Sequence, residues 1–61
     1  MNKIVIAGGT GFVGQYLSER FRTLGYQVII IGRRPGNILW TDRSAISDSL
    51  ENAAMLINLA G

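Results

Sequence analysis

The sequence predicts an α/β fold built on a doubly wound parallel sheet. Three observations indicate this fold class. Several short apolar runs are rich in β-branched residues, which is typical of strands buried on both faces. A stretch with helical periodicity separates the first two runs, and a glycine-rich loop directly follows the first run. Strand, helix and strand in this order form a βαβ unit, which is right-handed on general grounds.

The first strand is predicted at residues 4–7, where Ile-Val-Ile-Ala is followed by two glycines. From Gly11 onward, apolar residues recur at the spacing of a helix. This apolar stripe consists of Val13, Leu17, Phe21 and Leu24. The polar residues that lie away from it are Gln15, Ser18, Glu19 and Arg22. The pattern predicts an amphipathic helix of about three turns.

The next elements follow from turn chemistry. Gly25 lies where helices commonly end on a left-handed residue, and residues 28–31 are predicted to form a second doubly buried strand. Residues 32–37 have the composition of a turn. Residues 38–40 are a possible third strand. Since a parallel crossover normally needs about a dozen residues, we expect this segment to pair only briefly.

A second, shorter helix is predicted after this turn. Thr41, Asp42 and Ser44 each offer an N-cap side chain for it. Its apolar edge consists of Ile46, Leu50 and Ala53. The last strand is predicted at residues 55–59, with Asn58 as its polar member. The predicted order is therefore β-α-β, short β, α, β, the N-terminal half of a doubly wound sheet.

Composition excludes several classes of protein. A length of 61 residues is about half to two-thirds of an ordinary domain, too short for a multidomain enzyme with its own substrate compartment. The absence of Cys and His, with only four acidic residues, excludes minidomains held by disulfides or metals. A net charge of +2 from scattered basic residues is too weak for a nucleic-acid-binding surface. The first apolar run is too short for a signal peptide or a membrane span, so a cytoplasmic location is predicted.

The glycine-rich loop carries the chemistry. Glycines at 8, 11 and 14 follow a buried strand and open an amphipathic helix, the context of a Rossmann dinucleotide site. A pyrophosphate needs backbone N–H donors and a partial positive charge, and the first turn of a helix supplies both. Gly8 permits the sharp turn out of the strand, and Gly11 lets the backbone approach the phosphates. Gly14 lets the helix pack closely on the strand, and Thr10 offers a hydroxyl group. The alternative is a tight turn without a ligand. The candidate phosphate-binding residues are Gly8, Thr10, Gly11, Phe12, Val13 and Gly14.

The end of the second strand predicts which dinucleotide is bound. NAD sites usually carry an acidic residue about 20 positions after the glycines, where it accepts hydrogen bonds from the ribose. Gly32 stands in that region, followed by Arg33 and Arg34. No carboxylate repels a 2′-phosphate and two guanidinium groups can pair with it, so NADP is favoured over NAD. The alternative is a solvated basic turn before Pro35.

Three further features invite functional interpretations. Trp40 either lies beside an adenine or caps the edge of the core, and the core role is favoured. Asn58 either satisfies its amide within the fold or turns toward a ligand, and the structural role is favoured. Tyr16 and Arg20 have Tyr-x-x-x-basic spacing, but arginine cannot release its proton. We therefore predict no catalytic residue in this chain.

The sequence as a whole resembles an extended short-chain dehydrogenase/reductase, through residues 4–14, 25–28 and 58–61. More narrowly, it is similar to the sugar-nucleotide epimerase-like branch of NAD(P)-dependent proteins, at residues 32–35, Trp40 and residues 50–61. The resemblance implies that the loop at 8–14 holds the pyrophosphate and that residues 32–34 select the 2′-phosphate. It also implies that Leu59, Ala60 and Gly61 border the adenine–ribose side.

The same resemblance implies that the catalytic groups lie elsewhere. In that family a Ser or Thr acts with a Tyr-x-x-x-Lys pair, and these groups would follow Gly61. We therefore expect an N-terminal piece of a longer protein, whose last strand exposes an edge or pairs with a missing segment. The leading function is cofactor binding within an epimerase- or reductase-like enzyme with a small-molecule substrate. The alternatives are a non-catalytic NADP-sensing protein of the same fold and a complete minidomain.

Overall fold

A computed structural model describes residues 2–8, 11–33 and 37–59. These residues form three strands and two helices that alternate along the chain. The elements are β1 (Lys3–Ala7), α1 (Phe12–Thr23), β2 (Gln27–Ile31), α2 (Arg43–Leu50) and β3 (Ala53–Asn58). All three strands are parallel, in the order β2-β1-β3. This is the N-terminal half of a doubly wound Rossmann-like sheet, as predicted.

The central strand β1 supplies most of the core. Its Ile4, Val5 and Ile6 are at most 1% exposed. Ala7 of β1 pairs with Ile31 of β2 on one side and with Asn58 of β3 on the other. The prediction that residues 4–7 form a strand buried on both faces is confirmed.

The two helices lie on opposite faces of the sheet. The connection from β1 to β2 and the connection from β2 to β3 cross the sheet in opposite directions, and both are expected to be right-handed. Ile46 of α2 packs against the cluster of Val5, Ala7 and Ile31. Ile4 and Ile6 point to the other face because side chains alternate along a strand, and α1 packs against β1 and β2 from that side.

The predicted third strand is a single bridge. Of residues 38–40, Ile38 alone pairs with β2, through Ile31. Its N–H donates to the Ile30 carbonyl at 3.0 Å, and its carbonyl accepts from Gly32 N–H at 2.9 Å. Leu39 already belongs to the following turn, because its carbonyl accepts from the Asp42 N–H at 3.0 Å. Pairing is brief, as expected, and the bridge lies on the outer side of β2, the place of a third strand in a doubly wound sheet.

The buried face of α1 differs from the predicted stripe. Val13 and Leu24 are 57% and 58% exposed, whereas Gly14 and Ser18 are buried. Small residues let the helix axis approach the sheet, and the two other members of the predicted stripe are half-buried. The Ser18 hydroxyl donates to the Gln15 carbonyl at 3.0 Å, and this bond makes its burial possible.

The C-terminus of α1 is a Schellman motif. Gly25 has φ +95°, the left-handed conformation predicted for it. Its N–H donates to the Arg22 carbonyl, and the Tyr26 N–H donates to the Phe21 carbonyl, both at 3.0 Å. The rings of Phe21 and Tyr26 pack edge to face with centroids 5.8 Å apart, which is the apolar contact that accompanies this motif.

Helix α2 is capped at its N-terminus by one of the three residues predicted to do so. The Asp42 carboxylate accepts a hydrogen bond from Ala45 N–H at 3.1 Å. After the helix, Asn52 adopts φ +62° and turns the chain into β3. Ala53, predicted on the helix edge, is the first residue of β3, and the strand ends at Asn58 rather than at residue 59. None of the helices in the described part of the chain is long and apolar enough to span a membrane.

Candidate functional site

The carboxyl ends of the three strands meet at one edge of the sheet. Gly8 N–H donates to the Ile31 carbonyl, and Leu59 N–H donates to the Ala7 carbonyl, each at 2.8 Å. These two bonds continue the ladder one residue beyond β1 and β3. The N-terminus of α1 lies at the same edge, since α1 follows β1 after a short loop. Open α/β sheets bind ligands at this edge.

Gly8 makes the turn out of β1. Its φ of +78° lies in the region that favours glycine, as the sequence predicts. Its N–H is engaged by the Ile31 carbonyl of the neighbouring strand. Within the candidate site Gly8 therefore supplies the turn and not a donor to a ligand.

Gly11 is the N-cap of α1. It has φ −81° and ψ −177°, an extended conformation open to any residue, and no side chain of the described part of the chain caps the helix. A Cβ built at Gly11 would meet nothing within 4 Å. Neither backbone conformation nor packing of the described residues requires a glycine here. Among the described residues, the space beside Gly11 is therefore open.

The first turn of α1 has the electrostatics of an anion site. It contains no acidic residue, while Arg20 and Arg22 occupy the last turn at the opposite end. The N–H groups of Phe12, Val13 and Gly14 belong to this first turn, whose donors an α-helix leaves outside its own ladder. Aligned peptide dipoles add partial positive charge at the same place. No carboxylate of the first turn neutralises that charge.

A second part of the site lies at the end of β2. Gly32 is buried, and the exposed Arg33 follows it. Together with the turn after Ile38 they line a cleft of about 430 Å³. We call it the Trp40 cleft; its lining residues are Gly32, Arg33, Leu39, Trp40 and Thr41. Trp40 is 44% exposed and lies outside the buried cluster, so it is at most at the edge of the core.

The other candidate residues are placed as follows. Phe12 and Val13 are exposed on α1, and Leu59 is 36% exposed at the end of β3. Asn58 is exposed at the same sheet edge, in register with Ala7. Tyr16 and Arg20 are both exposed on α1. Four candidates lie outside the described residues: Thr10, Arg34, Ala60 and Gly61.

Sequence reasoning did not find Leu39 and Thr41 as members of the Trp40 cleft. Their place depends on the bridge between Ile38 and Ile31, which fixes where the chain leaves the sheet. Such a bridge has no signature in the local sequence. Their position on either side of Trp40 was the one available signal.

Residues 4–61 match the NAD dependent epimerase/dehydratase family. The chain belongs to this family. Membership confirms the resemblance drawn from the sequence and gives this epimerase-family chain an NAD(P)-binding fold.

Three curated relatives of this epimerase-family chain carry the name Epimerase family protein SDR39U1. The proteins from Bos taurus and Mus musculus are each 34% identical to it, and that from Homo sapiens is 33% identical. Each alignment covers 97% of this chain and 20% of the relative. The chain thus spans about a fifth of the length of the curated relatives it matches. No solved structure matches it.

Proposed function

We propose that this chain holds the pyrophosphate of a dinucleotide, NADP in preference to NAD, within an epimerase- or reductase-like oxidoreductase. The observation that carries the proposal is the start of α1 at Gly11, at the carboxyl end of the central strand, where no side chain of the described residues caps the helix and a Cβ would meet nothing within 4 Å. A glycine that neither the backbone nor the packing requires leaves room for a ligand. The chemistry of that position favours an anion.

In the proposed site the pyrophosphate accepts hydrogen bonds from backbone N–H groups of the first turn, at Phe12, Val13 and Gly14. The helix dipole adds to the attraction, and the absence of a carboxylate in this turn avoids repulsion. Thr10 contributes its hydroxyl. Gly14, buried on the sheet side of α1, brings the helix close to β1 and so places these amides at the strand end.

The preference for NADP is assigned to the arginines after β2. Gly32 offers no carboxylate to the ribose, and the exposed Arg33 lines the adjoining cleft. A guanidinium group there can pair with a 2′-phosphate through charge-assisted hydrogen bonds. Arg34 is proposed to assist, and Leu59, Ala60 and Gly61 to border the adenine–ribose side.

We further infer that the chain is the N-terminal part of a longer Rossmann domain. Met55 and Leu56 project to opposite faces of β3 and are 49% and 52% exposed, so β3 lacks cover on both faces among the described residues. The curated relatives are about five times as long as the aligned chain, which covers 20% of them. In the full protein a hydride would pass between nicotinamide and a small-molecule substrate, with catalytic groups supplied outside this segment. A cytoplasmic location stays a prediction.

The test is titration of the full-length protein with NADPH and NADH. Arg33→Glu should weaken NADPH binding by at least about tenfold and leave NADH binding within about twofold, because it replaces the partner of the 2′-phosphate with a like charge. Arg22→Glu is the matched control, since it makes the same charge change on the last turn of α1, away from the site. Equal wild-type affinity for the two dinucleotides would refute the NADP preference.

A further inference from the structure

The Trp40 cleft has the size and the chemistry of a small-molecule site. Its volume of about 430 Å³ falls within the range of about 300–1,000 Å³ typical of ligand pockets. It joins large apolar surface from Leu39 and Trp40 to one guanidinium group, that of Arg33. Leu39 and Trp40 are 48% and 44% exposed, so neither side chain is needed to fill the core.

Trp40 is held by ordered backbone on both sides. Two residues before it, Ile38 makes two hydrogen bonds, one to Ile30 of β2 at 3.0 Å and one to Gly32 just after β2 at 2.9 Å. The turn from Leu39 to Asp42 closes around it with a 3.0 Å bond. Two residues after it, Asp42 caps α2. Little backbone freedom remains to be lost when a ligand contacts the indole, which favours binding.

The positive charge of the Trp40 cleft favours planar ligands that carry a negative charge. Arg33 is the one charged residue that lines it among the described residues. Asp42 lies close along the chain, but its carboxylate accepts from Ala45 N–H and so is directed to its own helix. An aromatic face beside an unopposed guanidinium group suits a planar ring that carries an anionic substituent. A purine nucleotide has that form.

We propose that Trp40 is the stacking surface for the purine base of the dinucleotide and sets affinity for its adenine end. This rests on the proposed function, because it takes the Arg33 end of β2 as the place of the adenosine 2′-phosphate. Trp40 then contributes to binding of the adenine half and nothing to binding of the nicotinamide half. Stacking of a base on an aromatic side chain tolerates one ring in place of another and fails when the ring is removed.

The experiment uses the full-length protein and two halves of the ligand as probes, adenosine 2′,5′-bisphosphate and reduced nicotinamide mononucleotide. Trp40→Ala should weaken binding of adenosine bisphosphate and of NADPH about tenfold, whereas Trp40→Phe should stay within about threefold of wild type. Binding of the mononucleotide should be unchanged in both variants. Adenosine bisphosphate should also quench the part of the tryptophan fluorescence that Trp40→Phe removes.

Controls separate this proposal from the proposed function. Leu24→Ala, a truncation of a side chain 58% exposed at the far end of α1, should bind both probes as wild type does. If Trp40→Ala keeps wild-type affinity for adenosine bisphosphate while Arg33→Glu loses it, the base lies elsewhere and the Trp40 proposal is overturned alone. Equal weakening of the binding of both probes by Trp40→Ala indicates a structural role for Trp40 and also overturns the Trp40 proposal.

Should Trp40→Ala fail to fold, the wild-type protein still tests the Trp40 proposal, because absence of fluorescence quenching by adenosine bisphosphate overturns it. A wild-type protein that binds neither NADPH nor adenosine bisphosphate contradicts both proposals.

Discussion

At the scale of single residues, two glycines at the ends of α1 have different reasons to be glycine. Gly25 has φ +95°, so a side chain there is strained although nothing lies within 4 Å of its Cβ position. Gly11 has equally open surroundings and an ordinary φ of −81°. The first glycine serves the fold, and the second is free to serve a ligand.

Gly25→Ala should lower the free energy of unfolding by about 1–2 kcal/mol, because alanine pays a steric cost in the left-handed region. Chemical denaturation of the full-length protein measures this change. NADPH affinity should stay at the wild-type value, since the motif lies at the opposite end of α1 from the candidate site. Unchanged stability would contradict the assignment of a left-handed C-terminal residue.

The conformation of a single residue was predictable from the sequence where it depends only on neighbouring residues. The conformations of Gly8 and Gly25 follow from a strand-to-helix turn and a helix end, and both were predicted. The exposure of Trp40 was not predicted, because it depends on the bridge between Ile31 and Ile38, which determines where the chain leaves the sheet.

At the scale of elements, each helix buries a serine in addition to apolar side chains such as Ile46 of α2. Ser18 of α1 is 3% exposed and Ser49 of α2 is 5% exposed. Each hydroxyl donates to the carbonyl three residues earlier, Gln15 at 3.0 Å and Ile46 at 2.7 Å. A periodicity argument counts serine as polar and assigns it to solvent. The existence of the helices was therefore predictable, and the rotation of α1 about its axis was not.

Ser18→Leu should destabilise the fold by about 1–3 kcal/mol although leucine is more apolar, because the longer side chain does not fit between helix and sheet. Glu19→Leu makes a comparable change at the exposed neighbouring position and should alter stability by less than about 0.5 kcal/mol. Thermal unfolding of both variants gives the comparison. Equal effects would mean that α1 does not pack through Ser18.

The N-terminus of α2 gives a second prediction at this scale. Asp42→Ala should cost about 1 kcal/mol of stability, because Ala45 N–H loses its carboxylate partner. Ser44→Ala, at another of the exposed candidate caps, should cost little. If Ser44→Ala proved the more damaging in urea denaturation, the cap would be misassigned.

At the scale of the whole molecule, the buried core of the described residues is small. It consists of Ile4, Val5, Ile6, Ala7 and Ile31. Large apolar side chains of β3 remain exposed, among them Met55 and Leu56. Short chains bury a low fraction of their surface and are marginally stable. The fold class was predictable because buried parallel strands are continuous apolar runs in the sequence. The residue at which β3 begins was not predictable, because its pairing with β1 determines where the strand starts.

The isolated 61-residue chain should therefore show no cooperative thermal transition at low concentration, measured by circular dichroism. The full-length protein should unfold cooperatively, because further segments would cover β3. A sharp, concentration-independent transition of the isolated chain would favour a complete minidomain instead.

The central claim is that the start of α1 binds the dinucleotide pyrophosphate, and Gly11→Asp tests it most directly. Aspartate is a better N-cap than glycine, so the variant should be as stable as wild type or more stable by a few tenths of a kcal/mol. Its carboxylate would occupy the first-turn amides and repel the phosphates, so NADPH should bind about 100-fold more weakly or not at all, as measured by calorimetric titration. Gly11→Asn, an equal cap without the charge, should lose less. A folded Gly11→Asp protein that binds NADPH with wild-type affinity would contradict the account.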